Sequence, residues 1–407
     1  MNDSPDQLHP DLARLAGPDR RWRPSPGNRG PAALAASLAV LTLLGMILLR
    51  PTGTLDVDLV ALGVTGEVHR ASVEAVEEVP CAHTDPDDRV ACQRVTFRLL
   101  EGPVPGSIAV QEFPDLPSAP RFTEGEEVVL NYLVDAPTDL QYQFADRERR
   151  SVLLWVGLAF GVAVVALGRW RGLAALGGLA ASVLVLISFV IPAILAGRSP
   201  ILVAAVGAAA IGFLALYLAH GVNPLTHVAL LGTIASLALT VGLSALVVEV
   251  ASLSGFATEE SLYLTLLPGQ IDIRGLILAG IVLGALGALD DVTVTQASAI
   301  WELRAANPSL DRSKLAAAGL RVGRDHIAST VNTLLLAYAG ASMPLLLLFT
   351  LSGQPLGVVA NSEVIAVEII RTLVGSIGLV ASVPITTWLA VRSVVRLPPG
   401  ALGRAGR

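Results

Sequence analysis

The sequence predicts an α-helical integral membrane protein: eight transmembrane helices, with a small extracytoplasmic β-rich domain, an OB-like barrel, after the first. Three observations predict it. The chain has 407 residues, 53% of them hydrophobic and only 15% charged, with a mean hydropathy of +0.64. A soluble domain needs far more polar surface than that. Apolar runs long enough to cross a ~30 Å hydrocarbon core at 1.5 Å per residue recur along most of the chain. The interval 51–148 instead alternates polar and apolar residues between Gly and Pro turns, the pattern of strands.

Residues 1–30, rich in Pro, Asp and Arg, read as a disordered cytoplasmic tail. An apolar run over 31–50 follows with no small-residue cleavage site, so a transmembrane anchor is expected rather than a removed signal peptide. The β-rich domain, with "VTGEVHRASV", "QRVTFRLL", "GSIAVQEF" and "EGEEVVLNYL", covers 51–148. A seven-helix core spans 149–392, with runs near 151–168, 172–196, 200–219, 227–251, 275–300, 327–351 and 364–391, and a cytoplasmic tail closes the chain over 393–407. Basic residues set the orientation. Arg20, Arg21, Arg23 and Arg29 precede the first run, Arg169 and Arg171 join the second and third, and Arg392, Arg396, Arg404 and Arg407 follow the last. Arg304, Arg312, Lys314, Arg321 and Arg324 fill the connection between the sixth and seventh. All of these then face the cytoplasm of a bacterial cell, with both termini inside. Arg147, Arg149, Arg150, Arg198 and Arg274 go against the rule.

Cys81 and Cys92 are the only cysteines. In an oxidising compartment they would form a disulfide closing a short loop. His83, Asp85 and Asp87 between them leave a metal site as the other choice, which the compartment disfavours.

The stretch "GALGALDDVTVTQASAIWEL" carries the chemistry. If its span enters near Gly275, Asp290 lies about 22 Å along the helix, roughly 8 Å short of the cytoplasmic boundary. A carboxylate at that depth costs at least about 2.5–3.5 kcal/mol, so it should face protein or water. Gly280, Gly284, Gly287 and Asp291 fall on one face, where small residues would let another helix approach closely, and Thr295, Ser298 and Glu302 continue it. Asp290 is rotated by about 100° and shares its face with Thr293, so the two carboxylates cannot form a facing pair. Partners are expected at similar depth. They are Gln296 on the same span; Thr233, Ser236, Thr240 and Ser244 as a stripe on the fifth span; and Asn332 and Thr333 on the seventh, near Ser329 and Thr330. Pro384, before Thr386 and Thr387, should free the carbonyl of Leu379 or Val380 for a ligand. Together these define a cation or proton site in the cytoplasmic half. The bland counterpart is that such Ser and Thr stripes bond only their own backbone or glue helices together.

At the mouth of that site, Arg324, Asp325 and His326 have two readings. They are a gate with a titratable His, or an ordinary helix start with Asp325 in its first turn. Glu368 and Arg371, three residues apart, read as a structural ion pair toward the outer side. His220 and His227 flank a short turn and read as interfacial, and 252–274 as an external loop with a short interfacial helix.

"LGALGALDDVTVTQASAIWEL", "GRDHIASTVNTLLLAYAGASMPLLLLF" and "RTLVGSIGLVASVPITTWLA" resemble the signature stretches of the YibE/F family of bacterial multi-pass membrane proteins, over roughly residues 55–392. The resemblance implies an N-terminal anchor, an external β-rich segment and a seven-helix core, and supplies no activity.

The function expected is therefore an ion- or proton-coupled transporter of unidentified substrate. The alternative is a membrane-anchored sensor or assembly protein that binds a partner through the external domain. An enzyme is not expected: adjacent carboxylates on one helix do not make an aspartyl-protease pair, and neither "HExxH" nor a Walker motif occurs. No metal or cofactor is expected. The expected partners are lipid and an unidentified small solute or ion, with self-association left open, and no basic surface for nucleic acid is present.

Overall fold

The computed structural model describes residues 29–51, 67–81, 91–134, 136–137, 140–266 and 271–396. The tails expected over 1–30 and 393–407 fall mostly outside them, as do His83, Asp85 and Asp87 of the alternative metal site. The chain divides into two compact units, Asp56–Leu167 and the remainder, Met1–Leu55 with Gly168–Arg407.

The first unit holds five antiparallel strands, β1 (Glu67–Pro80), β2 (Ala91–Leu99), β3 (Ile108–Pro114), β4 (Glu127–Tyr132) and β5 (Tyr142–Arg147), in the order β3-β2-β1-β4-β5. Alternation does what it predicts. Ala71, Val73, Val95, Phe97, Leu99, Val128 and Leu130 point inward, and Phe97, Phe113, Phe122 and Phe144 pack largely edge to face. Irregularities between Val73 and Ala75 and between Val129 and Leu130 add the bend that curls the sheet. It curls into a half-barrel rather than the closed barrel expected. The gap lies between β3 and β5, and one side chain spans it: the Gln111 amide donates to the Tyr142 carbonyl at 2.6 Å and accepts from the Phe144 N–H at 3.0 Å. Gln111→Leu would leave that N–H unpaired and is expected to cost about 1–3 kcal/mol. Amide exchange at Phe144 in the full-length protein should accelerate; an unchanged rate would show that the seam does not depend on Gln111.

Cys81 and Cys92 form the expected disulfide, their Cα atoms 5.0 Å apart. It ties the end of the β1–β2 hairpin, where Val79 pairs with Cys92. Replacing both cysteines by Ser is expected to destabilise this unit by about 2–3 kcal/mol, from the loop entropy the cross-link removes. Limited proteolysis of the full chain, which should nick the hairpin faster, checks it.

A helical run of 46 residues follows, Arg150–Leu195. It comprises α2 (Arg150–Val185), a π turn (Leu186–Val190) and α3 (Ile191–Leu195). Glu148 starts it by accepting from the Arg150 amide at 2.7 Å and from its guanidinium, which pushes the Glu148 carboxyl down to about 2. Two spans were expected here. The helix instead breaks only at Arg169 (φ 52, ψ −130), where the unit boundary also falls. The π turn has a plain cause: Pro192 lacks the N–H that would bond Ser188, so the ladder slips by one residue.

The second unit is a helix bundle: α1 (Arg29–Leu48), α4 (Pro200–His220), α5 (Pro224–Val250), α6 (Glu259–Leu266), α7 (Ile273–Ala306), α8 (Arg312–Ala341), α9 (Met343–Leu351), α10 (Leu356–Asn361) and α11 (Glu363–Val394). Six helical segments among the described residues are long and apolar enough to cross a membrane, seven when the bent pair α8–α9 counts as one span. That pair is bent by 64°, with Pro344 in the first turn of α9, so 327–351 is not the straight span expected.

The packed helices run in both directions. Thr233 meets Thr293 while Val248 meets Arg274, which runs α5 antiparallel to α7. Gly280 lies against Arg371 and Gln296 bonds Thr387, which runs α7 parallel to α11. The first ten residues of α5, Pro224 to Thr233, are buried on every face, with Thr226, His227 and Thr233 among the apolar side chains.

Close approach comes from glycines other than those expected. A Cβ at Gly232 would strike Thr386 Oγ1, and one at Gly378 would strike Thr240 Oγ1. These are reciprocal glycine–threonine pairs eight residues apart on antiparallel helices, with fully buried Ser236 and Ser382 between them in sequence. Gly319 and Gly323 of α8 fit against Ile300, Gln296 and Val383 in the same way. On the expected face of α7, by contrast, Gly284 meets only the Tyr338 hydroxyl and Gly287 faces open space.

Candidate functional site: the carboxylate layer

Asp290 lies 17 residues into α7, about 25 Å from its first residue. Its carboxyl is largely buried, and Oδ1 has no hydrogen-bond partner among the described residues. One turn on, Thr293 Oγ1 lies 2.6 Å from Thr233 Oγ1 and 3.1 Å from the Asp290 carbonyl, joining α7 to α5. Gln296, 3% exposed, donates to the Gly319 carbonyl at 3.0 Å and to Thr387 Oγ1 at 2.7 Å, joining α7 to α8 and α11. With Thr386 seated on Gly232, one turn each of α5, α7, α8 and α11 meets at one level. Ser236 Oγ and Thr386 Oγ1 are, like Asp290 Oδ1, buried without partners. Apolar clusters close the level on both sides. Leu286, Leu289 and Leu379 stand toward the Glu363 end, and Ile300, Trp301 and Val394 toward the other.

Asp291 sits apart, as the 100° rotation requires. Its side chain is 69% exposed, with Oδ2 3.8 Å from His326 Nε2. Of the three proposed gate residues only His326 faces α7. Arg324 and Asp325 are exposed. None of them starts a helix: α8 begins a dozen residues earlier, capped by Asp311, whose carboxylate accepts from the Lys314 N–H at 2.8 Å.

Several expected ligands do not join the layer. Asn332 and Thr333 lie on the outward face of α8, and Thr333 donates to the Ser329 carbonyl at 3.0 Å. The hydroxyls of Thr240, Ser244 and Thr295 bond carbonyls four residues back, at 2.9, 2.7 and 2.7 Å, the self-satisfying use of a membrane hydroxyl. Ser298 is about 200° around α7 from Gln296 and only partly buried. Pro384 faces outward with Val380 and Trp388, and the Leu379 carbonyl is taken by the Ser382 hydroxyl at 2.7 Å rather than left for a ligand.

Two features escaped the sequence. His227 is 6% exposed in the first turn of α5, with Nδ1 2.6 Å from the Tyr217 hydroxyl. Only its antiparallel neighbour α4 reveals this. The Glu368–Arg371 ion pair, found at 3.3 Å, lines a cleft of about 480 Å³ between α7, α8, α11 and the 255–261 segment. The i,i+3 spacing disclosed the pair, and nothing local discloses the cleft.

Long apolar helices, packed around a seam of buried polar groups, define a multi-pass α-helical membrane protein. More narrowly, the chain belongs to the YibE/F family: the family described as YibE/F-like protein matches residues 156–396. The match begins inside α2, so the five strands lie outside it, although the resemblance in the sequence reached back to about residue 55. No curated protein and no solved structure matches the chain.

Proposed function

We propose that the protein is a gradient-driven transporter of the bacterial plasma membrane, coupled to protons or another cation through Asp290 and Asp291. The supporting observation is the buried, unpartnered Asp290 carboxyl at the level where four helices converge. A carboxylate in such a place is costly, and it needs a proton or a cation for a partner. A scaffold or sensor would be expected to neutralise its buried carboxylates with arginine. Here Asp291 faces His326, and Asp290 has no cationic partner among the described residues.

The topology belongs to the same proposal. Dividing the 46-residue run at Arg169 gives two helices of about 28 and 39 Å, each long enough to span, and with the bent pair as one span the total is eight. Both termini are then cytoplasmic and the strands extracytoplasmic, a compartment in which the Cys81–Cys92 disulfide persists.

The experiment is reconstitution of the purified protein in vesicles loaded with a pH-reporting dye or a sodium reporter. Under an imposed potential, dye response above that of protein-free vesicles is expected. Equality with empty vesicles for both ions, at several pH values, would leave a sensor or assembly role instead.

A further inference from the structure

The cleft beside Glu368 and Arg371 is a second polar site, at the bundle end that holds the N-terminus of α11. Arg371 lies eight residues into that helix, about 12 Å from its start. Its guanidinium is held on one side only. Nη1 meets Glu368 Oε1 at 3.3 Å, and the group lies over the Tyr338 ring with Cζ 5.8 Å from the centroid. Nε is buried with no hydrogen-bond partner among the described residues, and Nη2 lies beside the bare backbone of Gly280. The Nε–Nη2 edge, the fork that grips a carboxylate with two parallel bonds, is thus unused. Glu368 meets its partner through Oε1 and keeps Oε2 over. The walls are aliphatic at Leu276, Ile277, Leu345 and Val367, with the hydroxyls of Thr258, Ser261 and Ser342 among the other lining residues.

The roof is fastened. Glu363 accepts from the Ser254 N–H and hydroxyl, both at 2.7 Å, and from the Gly255 N–H at 2.5 Å. Gly255 itself has φ +87 and leaves no room for a Cβ against Ile273.

We propose that this cleft binds an α-amino acid with an aliphatic side chain, its carboxylate on the free edge of Arg371 and its ammonium on Glu368. The charges select it. The pair is neutral as it stands, so a simple anion or cation would leave one charge unmatched in a part-buried site, whereas a zwitterion leaves none. The two protein charges touch, so the ligand's charges must be adjacent, as on one α-carbon and not at the two ends of a peptide. An aliphatic tail then fills the walls, and the orphaned Nε–H gains an acceptor. The assignment deepens the transport proposal by naming the substrate class, with the cleft as the extracytoplasmic vestibule. Tyr338, whose hydroxyl rests on Gly284, stands between it and the Asp291–His326 pair.

The test is thermal unfolding of the full-length protein in detergent with L-leucine, 4-methylpentanoate (no ammonium) or 3-methylbutylamine (no carboxylate). L-leucine at about 100 times its Kd should raise Tm by several degrees, and the two truncated probes should not. The double variant Glu368→Gln with Arg371→Gln removes both charges together, so no orphan charge remains to unfold it. It should keep its ligand-free Tm within a few degrees and lose the leucine shift. The proposal is overturned if leucine gives no shift in the wild type, if either truncated probe matches it, or if the double variant still responds. Phosphatidylethanolamine is also zwitterionic; a shift with that lipid and none with leucine overturns the proposal in favour of a headgroup. Binding here is an equilibrium readout independent of flux. Leucine binding without ion movement in vesicles would retain the cleft and remove the transporter, and ion movement without leucine binding would do the reverse.

Discussion

On the transport proposal, Asp290→Asn should lower flux and leave the protein no less stable. The change keeps the shape of the side chain and removes a carboxyl whose Oδ1 has no partner among the described residues. Nothing is lost from the resting structure, and the desolvation penalty of an unpaired charged group disappears, so Tm should hold or rise. What is lost is a charge-assisted contact to the coupling ion, worth about 1.5–3 kcal/mol, which corresponds to roughly ten- to a hundredfold in turnover. Asp291→Asn should also lower flux, but it releases His326, 3.8 Å away, from its only acidic neighbour among the described ion pairs. Reconstituted flux and thermal unfolding, measured on the same preparations, decide the matter. A structural carboxylate would show the opposite pattern, with Tm falling and flux per folded molecule unchanged.

Gly232→Ala and Gly378→Ala are the substitutions from which the largest loss of stability is expected. Each puts a methyl group where a threonine hydroxyl of the facing helix already sits, Thr386 in one case and Thr240 in the other. Neither neighbour is the end of a long flexible chain, so the helices must separate, at a cost of about 1–3 kcal/mol for each substitution. Without a hydrophobic drive between helices in lipid, this close packing is a main source of their association. The pairing also predicts its own rescue. Thr386→Ala in the Gly232→Ala background should recover most of the lost Tm, because Thr386 Oγ1 makes no hydrogen bond that its removal would forfeit. Gly287→Ala is the internal control. That position faces open space, so the substitution should be neutral or slightly stabilising through helix propensity, by up to about 1 kcal/mol. Equal losses at Gly232 and Gly287 would show that glycine matters here for flexibility and not for contact.

The contrast between those glycines shows how far the sequence could be read. Gly280, Gly284 and Gly287 stand at helical spacing beside Asp291, and the spacing correctly says that they share a face. It does not say what the face meets. In the bundle it meets the Arg371 guanidinium, the Tyr338 hydroxyl and open space, while the tight contacts fall to Gly232, Gly319, Gly323 and Gly378. Asn332 and Thr333 turn away from the layer, since counting residues along a helix does not say which way a face points. Thr233, Thr293 and Gln296 were found because their level coincides with Asp290 whichever way the helices rotate by a few degrees.

The residues alone therefore determined what each stretch of chain is: which segments are apolar for a membrane's width, which interval alternates as strands, that Cys81 and Cys92 would join, and that Asp290 and Asp291 point in different directions. The tertiary arrangement decided which faces meet. It chose the glycine–threonine seam, buried His227 beside Tyr217, bridged the open edge of the half-barrel through Gln111 and made the Arg371 cleft. The physical reason is that a soluble helix shows its inner face by hydrophobicity, whereas in lipid both faces are apolar. Shape and a few hydrogen bonds then choose between them, and those are properties of two helices at once.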